Sequence, residues 1–396
     1  MTRQFLRMLR FAQGLTCLVL PLAAVSVQAC TIFVLTDESH ALFCNNEDFS
    51  NPKTRIWFMP ESVGHLGCAI VGYDDGFPQG GVNSAGLALD WVAGFSDKWE
   101  LDAPIPDAAG YSSLRVLETC STVQGAIDFY RSHPEPGFGY ARILVADRTG
   151  ASVIIGASHG KLLVESATQC RGFGYGGRTL DRLLARHPAP TEANATEILH
   201  ACLQRGRYAT KYSTVYDMKS GEILVFPLGA PSNEVRLNLA AEIARGGHYY
   251  DMPQLSEQLG QLQQPLLPCM KRMLVDQASP ANGEVPAVTA RVRAILHDLR
   301  EGILHREAVS PELWKEEEAT LKSTQMIVRA WGDLVSLTLV DSGTEGDHHV
   351  YRYRVEFTKS VLLQRFVFDP QDKLVAASQE DIEASSPHHS ERPPSG

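Results

Sequence analysis

From Cys30 onward the chain alternates short apolar runs with turn residues at the spacing of strands. Cys30 to Leu35 and Ala41 to Asn45 flank Asp37-Glu38-Ser39, Arg55 to Met59 ends at Pro60, and Leu66 to Tyr73 ends at Asp74-Asp75-Gly76. A turn at Gly80-Gly81-Val82-Asn83 runs into another apolar stretch, Gly86 to Val92. Runs rich in β-branched and aromatic residues, bounded by Gly, Pro and Asp, predict strands. The period lengthens to helical over Leu114 to Arg131. Strands return at Ala141 to Ala146, Ala151 to Ile155 and Lys161 to Glu165, with Arg148-Thr149-Gly150 as a hairpin turn. Helices are predicted over Thr179 to Arg186 and Thr191 to Leu203, the second opening on a Thr suited to capping. Ser213 to Tyr216 and Glu222 to Phe226 read as a hairpin around Lys219-Ser220-Gly221. Antiparallel strand blocks interrupted by helix blocks predict a layered α+β fold rather than a β-α-β repeat.

Gln258 to Pro286 is rich in Gln, Pro and Leu and marks a boundary. Beyond it Val288, Val292, Ile295, Leu296 and Leu299 share one helical face. A second helix over Pro311 to Lys322 precedes strands at Leu334 to Val340, Val350 to Thr358 and Val361 to Phe368. The pattern fits a small α+β cone of NTF2-like or cystatin-like type, serving to bind a partner or act as a lid. The tail from Ala384, rich in Ser, Pro, His and Glu, is expected to be disordered. The expected organisation is residues 1–29 as signal peptide, 30–257 as the main domain, 258–286 as linker, 287–380 as the smaller domain and 381–396 as tail.

The N-terminus changes the picture. Arg3, Arg7 and Arg10 precede an apolar core over Leu15 to Val25, and Val27-Gln28-Ala29 places small residues where signal peptidase reads. Pro21 interrupts a core too short to span a membrane, so the segment reads as an export signal leading to the periplasm or exterior. Cleavage after Ala29 leaves 367 of the 396 residues, beginning at Cys30. That residue then carries both a thiol and an α-amine, a nucleophile with its own base, because a neutral amine can take the thiol proton near neutral pH. A lipidated cysteine and a buried inert one are the competing readings; Gln28 sits where lipoprotein signals favour a small residue.

The net charge of −10, with no dense basic stripe, excludes a nucleic-acid partner, and no second apolar stretch reaches spanning length. Of eight cysteines, Cys17 leaves with the signal. Cys44, Cys68, Cys120, Cys170, Cys202 and Cys269 can form at most three disulfides beside Cys30, with the pairing open. Neither C-x-x-C nor H-E-x-x-H occurs, so no metal or other cofactor is expected. Gly172, Gly174 and Gly177 match G-x-G-x-x-G but lack the β-α-β context of a dinucleotide site.

Three segments combine into a candidate site. Cys30-Thr31-Ile32-Phe33 leads out of the thiol. Asn45-Asn46-Glu47-Asp48-Phe49 closes the next strand and returns Asp48 toward Cys30, where its carboxylate can orient the amine. In Gly80 to Leu87, Asn83 can donate to an oxyanion. Asp48 and Asn83 also suit ordinary turn positions. Trp57, Tyr73 and Trp91, with Ile56, Phe58 and Phe77, are available for an apolar pocket and equally for sandwich core.

The run "CTIFVLT…LFCNNEDF…GGVNSAGLALDW" resembles the choloylglycine hydrolase and penicillin V acylase group of N-terminal nucleophile hydrolases, and the resemblance extends from about Cys30 to Pro227. It implies an αββα sandwich that hydrolyses the linear amide bond of a small N-acyl compound, with Cys30 as nucleophile, Asp48 as the family Asp and Asn83 as oxyanion donor. Acyl transfer is the alternative outcome, and a homo-oligomer is compatible with it. Many members carry Arg where this chain has Asn45, so thiolate support is expected from Arg55 or Arg171 instead. The family's Thr-Asn pair has no counterpart in Cys170 to Gly177, and Arg205 or Arg207 corresponds only loosely to a later family Arg.

Overall fold

The computed structural model describes residues 30–62, 64–99, 111–133, 135–259, 264–267, 270, 273–274, 285–380 and 382–383. The expected signal peptide, Cys269 and the expected tail from residue 384 lie outside the described residues.

Strands β1 (Thr31–Thr36), β2 (Ala41–Asp48), β3 (Thr54–Met59), β4 (Cys68–Tyr73), β5 (Pro78–Asn83) and β6 (Leu87–Ala93) follow one another. Helices α1 (Ser112–Thr119) and α2 (Val123–Ser132) precede β7 (Ala141–Asp147), β8 (Ser152–Ser158), β9 (Lys161–Ala167) and β10 (Arg171–Gly174). Then come α3 (Arg178–Arg186), α4 (Glu192–Ala201), β11 (Thr210–Asp217), β12 (Glu222–Pro227), β13 (Val235–Asn238), α5 (Leu239–Ala244), β14 (His248–Asp251), α6 (Leu255–Gln258) and β15 (Gln264–Pro265).

Two antiparallel sheets result, in the orders β10-β1-β2-β11-β12-β13 and β15-β14-β3-β4-β5-β6-β7-β8-β9. Three apolar clusters show how they stack. Ile32, Phe43, Ile56, Val71 and Tyr216 fill the space between the sheets. Phe33, Leu42, Leu180 and Ile198 pack the first sheet against α3 and α4. Trp57, Ile70, Leu114 and Ile127 pack the second sheet against α1 and α2. The layers therefore run helix, sheet, sheet, helix, and a strand's alternating side chains enter different cores.

The helical stretch predicted around Leu114 to Arg131 comprises two helices, because Cys120 is extended and Thr122 caps a new start by accepting from Gly125 N. The predicted turn at Gly80 to Asn83 is strand β5. No disulfide joins any two of the six described cysteines.

After β16 (Met273–Leu274) come α7 (Pro286–Glu301) and α8 (Pro311–Ala330), followed by β17 (Leu334–Glu345), β18 (His348–Phe357), β19 (Val361–Phe368) and β20 (Leu374–Glu380). These four strands form their own antiparallel sheet in sequential order. Val292, Leu296, Tyr353, Phe357 and Phe366 give this part a core separate from the sandwich. Ser310 caps α8 by accepting from Leu313 N, and α8 continues past the predicted Lys322 to Ala330.

Candidate functional site

The second strand carries the decisive irregularity. Its first half, Ala41 to Cys44, is apolar and buried on both faces, and its second half, Asn45-Asn46-Glu47-Asp48, is polar and equally buried. Buried polar groups require partners. Asn46 faces α4, donating to Leu199 O at 2.9 Å and accepting from Ser213 Oγ at 2.6 Å. Asn45 accepts from Thr214 Oγ1. Glu47 shares a strand face with Phe43, which lies in the core between the sheets.

Cys30 precedes β1, and the pairing Thr31↔Asn46 brings it alongside Glu47. Its backbone N–H donates to Asp48 Oδ2 at 3.0 Å, and Thr210 Oγ1 donates to Asp48 Oδ1 at 2.5 Å. Its thiol lies 3.5 Å from Glu47 Oε2, while Tyr73 OH donates to Glu47 Oε1 at 2.9 Å. Cys30 is only 6% exposed and adopts φ 69°, a left-handed conformation uncommon for a side-chain-bearing residue.

The glycines of the G-x-G-x-x-G pattern have a packing role here. Gly172 and Gly174 lie on edge strand β10, antiparallel to β1. A Cβ on Gly174, at φ 119°, would strike the carbonyl oxygen of Cys30. Tyr175 N donates to that same oxygen at 2.6 Å, so the absence of a side chain at 174 lets β10 clamp residue 30.

The electrostatics are acidic. Burial pushes Glu47 up to about 7, with Asp48 adding to the rise and the Tyr73 hydrogen bond opposing it. Asp48 is likewise raised to about 7 by burial, against the hydrogen bonds from Thr210 and Cys30 and the charge of Lys211. Asp90, on β6 and facing the same inter-sheet core, is pushed well above the carboxylate range by burial and by Glu47. The Cys30 thiol is raised by burial and then by Glu47 and Asp48. With Glu47 and Asp48 both raised to about 7, the cluster is only partly ionised at neutral pH.

Cys30, Glu47 and Asp48 open onto a cavity of about 680 Å³, whose sandwich-side wall includes Phe77, Trp91, Phe95 and Tyr140. Of the residues expected to bind substrate, Trp91 lines this cavity. Tyr73 acts through Glu47, and Asn45 lies behind Glu47 between the sheets. Trp57 is buried on the opposite face of its sheet, in the core against α1 and α2. Arg55 is held by Asp251 at 3.0 Å and stacks over Tyr249, and Arg171 is held by Glu165 at 3.6 Å, so neither reaches the thiol. Arg207 donates to Lys315 O on α8 and so ties the sandwich to the C-terminal part.

Asn83 corrects the oxyanion expectation. It follows Val82, which faces the inter-sheet core, and therefore points to the other face. Its Nδ2 donates to Leu117 O at 2.7 Å and Cys120 O at 2.8 Å, and its Oδ1 accepts from Leu87 N at 2.9 Å. Both amide hydrogens are engaged on carbonyls at the end of α1, on the far side of the sheet from Cys30.

Sequence reasoning missed Glu47 as a partner of the thiol and missed Asp90 altogether. Asp90 was marked by a charge interrupting the apolar run Leu87 to Val92, and Glu47 by a polar stretch continuing a strand whose first half is apolar. Among the described residues, no group of three or more His, Cys, Asp or Glu is placed to hold a metal ion, and no helix is long and apolar enough to cross a membrane.

Neither a protein-family model nor a curated protein matches this chain. Solved structures similar to part of it include the following two. Penicillin V acylase from Agrobacterium tumefaciens is 14% identical, with 56% of this chain and 91% of that chain covered and a TM-score of 0.44. A mutant of the conjugated bile acid hydrolase from Clostridium perfringens is 13% identical, with 56% of this chain and 96% of that chain covered and a TM-score of 0.42.

Proposed function

We propose that this chain is an exported amidase that hydrolyses the linear amide bond of a small N-acyl compound, with Cys30 as nucleophile once cleavage after Ala29 has freed its amine. The observation that carries the reading is the pair of contacts at residue 30: its nitrogen on Asp48 and its sulfur beside Glu47, at the mouth of an apolar cavity.

Before cleavage the nitrogen is an amide and cannot act as a base. Afterwards the amine takes the thiol proton, and Asp48 holds the resulting ammonium in place. The ammonium also supplies a positive charge to the buried carboxyl cluster, where the charge of Lys211 also acts on Asp48. Sulfur attacks the amide carbonyl, the C–N bond breaks, and the ammonium returns its proton to the departing nitrogen. Water, deprotonated by the same amine, then attacks the thioester and releases the acid, regenerating the thiol. Glu47 in its protonated form spares the thiolate a facing negative charge. Cleavage also removes the constraint on the φ angle of Cys30, since that dihedral involves the preceding carbonyl.

Burial of Cys30 between the sheets disfavours a lipid anchor, which would require the sulfur to leave the core for a bilayer. The test is the intact mass of the exported protein together with an N-acyl amide screen of wild type and Cys30→Ala. A chain beginning at unmodified Cys30, active only with the thiol present, supports the reading. A diacylglyceryl adduct, or activity retained in Cys30→Ala, overturns it. An added amine that captures the acyl group in preference to water would turn hydrolysis into transfer.

A further inference from the structure

The cavity at Cys30 is not walled by the sandwich alone. Its far side is built by Leu299 of α7, Ile327 of α8, Trp331 just after it, and Leu362 and Phe366 of β19. The C-terminal part is seated there by specific contacts: Met326 packs onto Gly139, and Arg207 donates to Lys315 O. At about 680 Å³ the space falls in the range of cavities that enclose most of a small organic ligand.

Resting on the amidase reading, we propose that α7, α8 and β19 form the acyl-selecting wall of the site, and that the substrate is an amide of an uncharged, extended apolar acid whose chain lies against Ile327, Trp331 and Leu362. Two arguments assign the acyl side rather than the amine side to this space. The acyl group stays bound to sulfur through both half-reactions, so an enclosed apolar compartment suits it, whereas the amine must leave to admit water. The lining also selects against an anionic tail: Asp75 and Glu135 place further carboxyls on the cavity wall, and Arg115 is held by Glu118 at 3.2 Å.

The experiment is a chain-length series of N-acyl p-nitroanilides, from acetyl to dodecanoyl, on wild type, Ile327→Trp and Leu362→Trp. A second readout is calorimetric binding of decanoate to Cys30→Ala with and without each tryptophan. Wild-type kcat/KM should rise by about threefold to fourfold per added methylene until the space is full. Each tryptophan should leave the acetyl substrate within about twofold and lower the decanoyl and dodecanoyl substrates at least tenfold, as expected for lost apolar burial. Decanoate binding that is weakened by either tryptophan supports the wall even if wild type cleaves no anilide, the outcome that sinks the amidase reading alone. Equal losses at every chain length, or unchanged binding and chain-length profile in both folded variants, overturn the wall.

Discussion

Glu47 joins Cys30 to Tyr73: one carboxyl oxygen lies 3.5 Å from the Cys30 sulfur and the other accepts the Tyr73 hydroxyl at 2.9 Å. The carboxyl is therefore held against the thiol, and its charge raises the thiol pKa. Glu47→Gln keeps the shape and removes that charge. The thiol of the variant should titrate lower, read from the pH dependence of alkylation rate. A titration that stays put or moves upward would show that the carboxyl does not oppose the thiolate.

Asp48 Oδ2 accepts from the nitrogen of residue 30 at 3.0 Å. Asp48→Asn should reduce kcat/KM about a hundredfold, in the range usual for losing the support of a general base. Alkylation of Cys30 should persist, since the thiol remains in place. Full activity in this variant would mean that the amine needs no orienting carboxylate.

Asn83→Ala separates two roles that the sequence motif confounds. The variant leaves two carbonyls and one N–H without their partner, at a cost of roughly 1–3 kcal/mol for each buried group. Its urea midpoint should fall clearly, while kcat/KM of the folded protein stays within a few-fold. A drop of about 10²–10³ in kcat at unchanged stability would restore Asn83 as an oxyanion donor.

The raised carboxyl also couples stability to pH. Glu47 titrates near 7 in the folded chain against 4.5 as its ordinary value, so the folded state binds the proton more tightly. Its contribution is fully present below the ordinary value and is lost as pH rises through 7. The loss for one such group is on the order of 3 kcal/mol. Urea unfolding at about pH 5 and about pH 8 should show that decline in wild type and a shallower one in Glu47→Gln. Identical slopes would mean that Glu47 is ionised throughout.

Most strands were legible because apolar runs between turn residues report burial directly, and the hairpins around Gly150 and Gly221 formed where the turn chemistry placed them. β5 and β10 were not legible, because their glycines imitate loops. A Cβ on Gly81 or Gly172 would collide with the neighbouring strand, so those glycines permit close strand packing rather than a turn. The nearness of Cys30 and Asp48 followed from one hairpin, a local relationship. The misplacement of Asn83 was an error of parity: one residue along a strand exchanges one core for another, and only the stacked layers define which core holds the thiol. Asp90 and the far wall of the cavity depend on contacts between distant segments, which periodicity does not encode.

The division of the cavity wall has an evolutionary consequence. The groups around the sulfur come from the first half of the chain, whereas much of the opposing surface comes from a contiguous stretch near the other end with a core of its own. Recombination or drift within that stretch can remodel what the cleft admits without disturbing the bond-breaking apparatus, so new preferences can arise on an inherited reaction.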